Sequence, residues 1–397
     1  MERLKSISDD RVQKSNLGFK RLLYQKISLK KRITGICGSS GTGKTHLLLQ
    51  LMGNKLEKGR NAIYINMNDM HFSRQSLLEF ASEFYRRGGE ALFIDDLHKY
   101  RGAAEEMEEI SVNLTGMLIV FTASFLPWEG DDLYSFPKEM DLYRLPGMSF
   151  REFLELKYDL AFPVIKIDEL LELNRNPGVN VLSRIRPLQF FDEYLRSGYY
   201  VCQKDTLSSF MAAINEVVSV MLEGDLSSCC RVDYDSVLKI RNLLARISSG
   251  GPIRPNIEKL ARETGTTRDS LLKFLRYTNG LGLTRCIYKR GRQGERKAKP
   301  VKIFMGNSNL VAAFNESNVS PGFLYETFII NQLSLNHGIV LDDTDDSIIS
   351  LDGEHRLKLD WINDSITKRG LYDYNIAPGL DYQRGSIIPL WMFGFLY

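Results

Sequence analysis

The chain has 397 residues, of which 43% are hydrophobic, 11% aromatic and 25% charged, with a formal net charge of +3. This composition excludes a wholly disordered or collagen-like chain, and at roughly 150 residues per domain it implies two to three domains with cores that need no disulfide or metal staple. Mean hydropathy is −0.22 and no run approaches eighteen uncharged apolar residues, so no membrane span is expected. The opening MERLKSISDDRVQK has no apolar signal core, and Cys37, Cys202, Cys229, Cys230 and Cys286 form no Cys-x-x-Cys pair. A cytoplasmic location is therefore expected, with neither secretion nor a disulfide framework nor a zinc site.

The small net charge hides segregation along the chain. Residues 1–50 hold 11 Lys and Arg against 3 Asp and Glu, and residues 254–302 hold 14 against 4, whereas the intervening and final stretches are acidic. In chain order, 1–32 reads as a basic, partly amphipathic leader. A short apolar run, Ile33–Cys37, precedes a Gly-rich stretch and then the helix former His46–Met52. Apolar runs of strand length recur at Ala62–Asn66, Ala91–Asp95, Leu118–Thr122 and Leu142–Leu145, with helical patterns at Ser76–Arg87 and Glu105–Val112. Strands alternating with helices predict a parallel sheet covered on both faces over 33–149.

After Pro146 the pattern turns helical, predicting an all-helical segment over 150–235. Over 236–306 the pattern is helix (Asn256–Thr264), turn (Gly265-Thr266), helix (Thr267–Leu283) and two strand-like pieces around a basic loop, the order of a winged helix-turn-helix. Residues 307–397 mix a helix at Phe323–Leu335 with a hairpin signal at Asp352-Gly353 and an apolar tail.

One motif carries chemistry. Gly38-Ser39-Ser40-Gly41-Thr42-Gly43-Lys44-Thr45 satisfies G-x-x-x-x-G-K-[ST] between a strand and a helix. The glycines let successive N–H groups turn toward phosphate oxygens, Lys44 adds a cation at the β and γ phosphates, and the Thr45 hydroxyl is a Mg2+ ligand. The expected cofactors are thus ATP and Mg2+. Asp95, ending the run Ala91–Asp95, would hold the metal, and Asp96 would orient or deprotonate the attacking water. Thr122, ending another buried strand, would act as a polar sensor between water and γ-phosphate or simply cap its strand; the residues alone leave both open.

The blocks Phe93-Ile94-Asp95-Asp96-Leu97-His98-Lys99-Tyr100, Leu145-Pro146-Gly147-Met148-Ser149-Phe150-Arg151-Glu152-Phe153-Leu154 and Pro389-Leu390-Trp391-Met392-Phe393-Gly394-Phe395-Leu396-Tyr397 add a resemblance. With the Gly-rich motif, Val120–Ser124, Arg186-Pro187-Leu188 and Glu326-Thr327-Phe328, nearly the whole chain resembles the bacterial and archaeal-type AAA (DEXX-box) P-loop ATPases. The resemblance implies an α/β architecture: an AAA-type P-loop core, a helical lid, a winged helix and a small C-terminal α/β domain related to restriction-type nuclease folds. The chain departs from that pattern in having Asp95-Asp96 where Asp-Glu is usual and Ser39-Ser40 where Pro-Arg is usual, and in lacking an upstream Arg pair. Arg101, Arg144 and Arg151 are the arginines left as finger candidates.

Arg268, Lys273 and Arg276 on the second helix, with Lys289, Arg290, Arg292, Arg296 and Lys297 on the wing, are the candidate DNA-binding residues. A helix in the major groove with a basic wing on the phosphates uses such residues, so duplex DNA is the expected partner. The sequence therefore reads as an AAA-type ATPase that hydrolyses Mg-ATP slowly and contacts DNA. Two rivals stay open: a nucleotide-dependent switch that binds a protein partner or assembles with itself and turns over little, and a DNA nuclease using Glu354, Arg356 and Lys358 with Asp342, Asp343, Asp345 and Asp346.

Overall fold

A computed structural model describes the chain except for residues 16–17, 125–139, 173–174, 203, 205, 231, 290–297, 316–318, 343–344, 346 and 362–371. The chain divides into two compact units, the first built from Met1–Gly147 with Val217–Val237 and the second from Met148–Glu216 with Leu238–Tyr397.

In the first unit the order is α1 (Glu2–Lys14), α2 (Leu22–Lys26), β1 (Ile33–Cys37), α3 (Lys44–Asn54), β2 (Ala62–Asn66), α4 (Leu77–Arg86), β3 (Ala91–Asp95), α5 (Ala103–Asn113), β4 (Leu118–Ala123) and β5 (Met140–Arg144). The five strands form one wholly parallel sheet in the order β2-β3-β4-β1-β5. Alternate residues of each strand feed two cores, as a sheet covered on both faces requires. Leu92 and Ile94 of β3 join Phe80 and Phe84 of α4 and Met107 and Ile110 of α5, while Ala91 and Phe93 join Leu47, Leu48 and Leu51 of α3. Ser76 starts α4 with a reciprocal capping box to Glu79. Helix α1, within the expected leader, packs on β2 and α3, burying Leu4 and Ser8, and the Ser8 hydroxyl accepts from the Tyr64 N–H at 2.9 Å.

The second unit opens with α6 (Phe150–Tyr158), α7 (Ile167–Leu170), α8 (Val179–Leu182), α9 (Leu188–Ser197) and α10 (Leu207–Ser219), whose last residues enter the first unit. There the helix winds as a π-helix over Val220–Asp225 and continues as α11 (Leu226–Cys230). Within the segment expected to be helical over 150–235, the described residues hold α6 to α11, and the segment is divided between the two units. Among the described residues one helix, Leu207–Cys230, is long and apolar enough to cross a membrane by length and composition, and it carries Glu216, Glu223 and Asp225.

Next come α12 (Tyr234–Ser249), α13 (Ile257–Glu263) and α14 (Arg268–Gly280), then an antiparallel pair, β6 (Thr284–Ile287) and β7 (Lys302–Met305), with Ile253 bridged to Ile303. Gly265, at φ +65, makes the turn between α13 and α14. The chain ends with α15 (Ser308–Asn315), α16 (Pro321–Leu333), β8 (Ile339–Leu341), β9 (Ile348–Leu351), β10 (His355–Leu359), β11 (Tyr374–Ala377) and β12 (Ile387–Pro389). The last five strands form a mixed sheet in the order β12-β11-β10-β9-β8. The apolar tail is core: Phe395 packs edge-on against Phe150, Phe162 and Trp391, and a Cβ at Gly394 would lie 2.5 Å from that of Phe150.

Candidate nucleotide-binding site

Because β1, β3 and β4 run parallel, the loops after all three leave from one edge of the sheet. The Gly38 N–H donates to the Ala123 carbonyl at 3.1 Å, joining the loop after β1 to the end of β4. A Cβ on Gly38 would stand 2.2 Å from the Leu145 carbonyl oxygen, so backbone is all that fits. Gly41 and Gly43 sit at φ +81 and +92, where side chains are strained. Lys44 then begins α3, leaving the unpaired N–H groups of the helix start at the loop, the arrangement that binds anions.

Arg21 holds this loop from outside. It is 4% exposed and donates to the carbonyls of Thr42 (2.6 Å), Pro146 (2.9 Å) and Gly147 (2.9 Å). In a trans peptide the C=O and the following N–H point opposite ways. With the Thr42 carbonyl turned to Arg21, the Gly43 N–H turns away from it.

Lys44 is 6% exposed and donates to the Ser39 carbonyl (3.0 Å) and the Ser124 hydroxyl (3.1 Å). Burial lowers its pKa, and the carboxylates of Asp96, Asp225 and Asp95 act to raise it again. The Thr45 hydroxyl donates to Asp95 Oδ2 at 2.8 Å, and the same oxygen accepts from Tyr64 (2.9 Å) and Asn66 (3.1 Å). Thr122 donates to Asp95 Oδ1 at 2.6 Å and accepts from the Asp96 N–H at 2.9 Å, so its hydroxyl is spent on fixing the acidic pair. Ser124, two residues on, is the hydroxyl that meets Lys44. Asp96 sits in the left-handed region at φ 57, and its carboxylate accepts from Asn68 at 2.9 Å and pairs with Lys99 at 3.6 Å.

Sequence reasoning missed a further acid. Asp225, from the π-helical turn, brings a fully buried side chain to the loop, where Ser40 Oγ donates to its Oδ2 at 2.7 Å. Lys99 lies 3.6 Å from its Oδ1. The Ser124 N–H donates to His98 Nδ1 at 3.3 Å, which leaves the proton on Nε2. That nitrogen stands 3.1 Å from Asp225 Oδ1, close enough for the dipole of its N–H to favour the carboxylate though out of hydrogen-bond alignment. Burial alone would push the Asp225 carboxyl up, but His98, Ser40 and Lys99 outweigh it and hold the pKa at about 2. No spacing rule marks Asp225, because Ser40 lies 185 positions away.

The loop residues Gly38–Thr45, Asp95, Asp96 and Thr122 are therefore brought together at one edge of the first unit. The candidate DNA-binding residues lie in the second unit. Arg268 and Lys273 are exposed on α14, Arg276 is half-buried, and Lys289 is exposed just after β6. Arg268 is engaged by Glu258 (3.6 Å) and Asp269 (3.4 Å). Arg290, Arg292, Arg296 and Lys297 lie outside the described residues. Lys302, the first residue of β7, is buried and paired with Glu326 at 2.6 Å, so it is not among the exposed cations of 254–302. Arg151 is likewise buried and bound to Glu155 at 3.2 Å. Glu354, just before β10, and Arg356 on it are exposed but Lys358 is buried, and among the described residues no group of three or more His, Cys, Asp or Glu could hold a metal ion.

Residues 30–154 match the family model described as an AAA domain. A curated relative, the DNA repair and recombination protein RadB of Methanococcoides burtonii, is 32% identical over 104 residues, which are 25% of this chain and 45% of RadB. Among solved structures, AMPPCP-bound DnaA from Aquifex aeolicus is similar at 15% identity over 69% of this chain and 86% of DnaA, with a TM-score of 0.27. Domain III of the Thermotoga maritima replication initiation protein DnaA is similar at 20% identity over 53% of this chain and 92% of that domain (TM-score 0.26). The C. elegans protein PCH-2 is similar at 15% identity over 55% and 68% (TM-score 0.26). Family match and parallel sheet agree: the chain carries an AAA-type, P-loop ATPase-like domain.

Proposed function

We propose that this protein binds ATP with Mg2+ at 38–45 and hydrolyses it slowly, and that the segment 254–302 contacts duplex DNA. The observation that carries the nucleotide reading is the meeting of three features: an amide-lined turn opening α3, a buried Lys44 at the start of that helix, and Asp95 of β3 bonded to Thr45 at 2.8 Å. Mg2+ keeps most of its water shell and takes one or two protein oxygens, so the Thr45 hydroxyl and the Asp95 carboxylate suit it. The ion would supply charge neutralisation across the β and γ phosphates. Lys44 and the loop amides offset phosphate charge, and Asp96 aligns the attacking water.

The environment of Asp96 favours slow turnover. Its carboxylate is one methylene shorter than glutamate, and it is already held by Asn68 and Lys99. The switch reading, in which bound ATP is retained and read by a partner, rests on the same observation. The DNA reading rests on the excess of Lys and Arg in 254–302, set on a helix–turn–helix followed by a two-stranded ribbon. The likeness to RadB, whose name places it in DNA repair and recombination, points the same way. ATP binding and turnover, measured with and without duplex DNA for the wild type and for Lys44→Ala, test both parts. Binding that survives Lys44→Ala overturns the nucleotide site, and turnover and affinity indifferent to duplex DNA count against the DNA reading.

A further inference from the structure

We infer that Asp225 is a built-in counter-anion of the phosphate site: its buried carboxylate, seated on Ser40 of the loop, weakens the binding of phosphate charge and makes nucleotide binding depend on a divalent cation. The inference rests on reading 38–45 as the phosphate site and concerns a residue outside the motif. Ser40 is the third residue of the loop, and its hydroxyl donates to Asp225 at 2.7 Å while lying 3.0 Å from Ser124 Oγ, the partner of Lys44. The carboxylate therefore stands one hydroxyl away from the group that holds the loop lysine. Asp95 and Asp96 add two more carboxylates around the same cation.

Charge arithmetic gives the consequence. Three carboxylates face the site with Lys44 among them and Lys99 at their outer side. A bare triphosphate brings further negative charge into buried ground, where screening is weak. A divalent cation arriving with the phosphates removes most of that repulsion. Asp225 contributes one full charge, because His98, Ser40 and Lys99 keep it ionised through the neutral range. Its geometry is set by the π-helical turn Val220–Asp225, a local widening that re-aims side chains and is frequent at functional sites.

Asp225→Asn removes the charge and keeps the shape. Titration calorimetry with ATP, in Mg2+ and in EDTA, and with adenosine as a phosphate-free control, reads the effect. The expected result is ATP affinity in EDTA raised on the order of tenfold, a smaller rise in Mg2+, and an unchanged affinity for adenosine. The ratio of the two ATP dissociation constants, EDTA over Mg2+, therefore falls. Lys99→Gln, at a position 21% exposed, removes a neutralising cation and should move that ratio the other way. Because Lys99 also stands 3.6 Å from Asp96, the variant is read in an Asp96→Asn background, where Asp225 is the acid it still pairs with, and there it decides the matter if Asp225→Asn does not fold. An unchanged ratio in a folded Asp225→Asn protein, or ATP and adenosine affinities that shift together, overturns the proposal and leaves Asp225 a packing residue. Loss of ATP binding in Lys44→Ala, run alongside, separates that outcome from failure of the phosphate site itself.

Discussion

Arg21 offers the sharpest mechanical test of the first unit. Replacing it by methionine keeps the aliphatic stem and removes the guanidinium, so three carbonyls, those of Thr42, Pro146 and Gly147, lose their donor at once. Hydrogen bonds to a charged group contribute about 1.5–3 kcal/mol each, and burying the guanidinium offsets part of the sum. A net loss of about 3–5 kcal/mol is the reasonable size, since stranding buried partners costs about that much. In thermal unfolding, about 2–4 °C per kcal/mol applies to a domain of this size, so the melting of this unit should fall by roughly 6–20 °C. The loop must suffer too: without Arg21 the Thr42 carbonyl is free to rotate and the Gly43 N–H loses its direction. ATP affinity, titrated well below the new melting temperature, should therefore drop by about tenfold or more, as expected of one misplaced charge-binding donor. Arg21→Lys, which can reach one carbonyl but not three, should fall between. A melting temperature within about 2 °C of wild type, with unchanged ATP affinity, would refute the account of Arg21 as the strut of the loop.

Three further outcomes follow from the proposed site. Lys44→Ala should abolish measurable ATP binding in calorimetry while leaving the circular dichroism spectrum intact. Asp96→Asn should trap bound ATP, seen as single-turnover hydrolysis slowed by on the order of a hundredfold, whereas Asp96→Glu should speed steady-state turnover because the carboxylate advances by about 1 Å. Reversing Arg290, Arg292, Arg296 and Lys297 to glutamate should remove most duplex-DNA affinity and flatten a log–log salt slope of about −4 to −5, read by fluorescence anisotropy, without changing ATP affinity.

The parallel sheet of the first unit is legible in the sequence for a physical reason. Strands buried on both faces need unbroken apolar runs, and Ile33–Cys37, Ala62–Asn66 and Ala91–Asp95 coincide with β1, β2 and β3. β4 runs one residue past the expected Leu118–Thr122, and β5 covers Met140–Arg144 instead of Leu142–Leu145; β5 is an edge strand with Leu142 and Arg144 exposed, so burial does not mark its ends. The Gly-rich loop 38–45 is equally legible because its residues are contiguous. What stays hidden is whatever depends on distant partners. Arg21 sits in a basic stretch like any solvated cation until three carbonyls are brought to it. Tyr64 and Asn66 look like strand filler until β3 pairs with β2, which sets Asp95 in register with Asn66 and within reach of the Tyr64 hydroxyl. Asp225 lies in a largely apolar helix with Glu216 and Glu223, where nothing in the sequence sets it apart from the other two acids.

The first unit is sewn from two stretches of chain, and this bears on how it can be cut. The stretch that matches the AAA domain, 30–154, lacks α1 and Arg21 on one side and the return segment Val217–Val237 on the other. A recombinant piece trimmed to those limits would uncover the surface on which Leu4 and Ser8 lie, strand the carbonyls served by Arg21, and leave Ser40 and His98 facing water where Asp225 had been. The motif residues would all be present, yet the piece would be missing its own scaffold. Protease cuts falling between 148 and 216 should accordingly leave the returning helix bound to the remainder by its contacts alone, so that the nicked chain stays whole until it is unfolded.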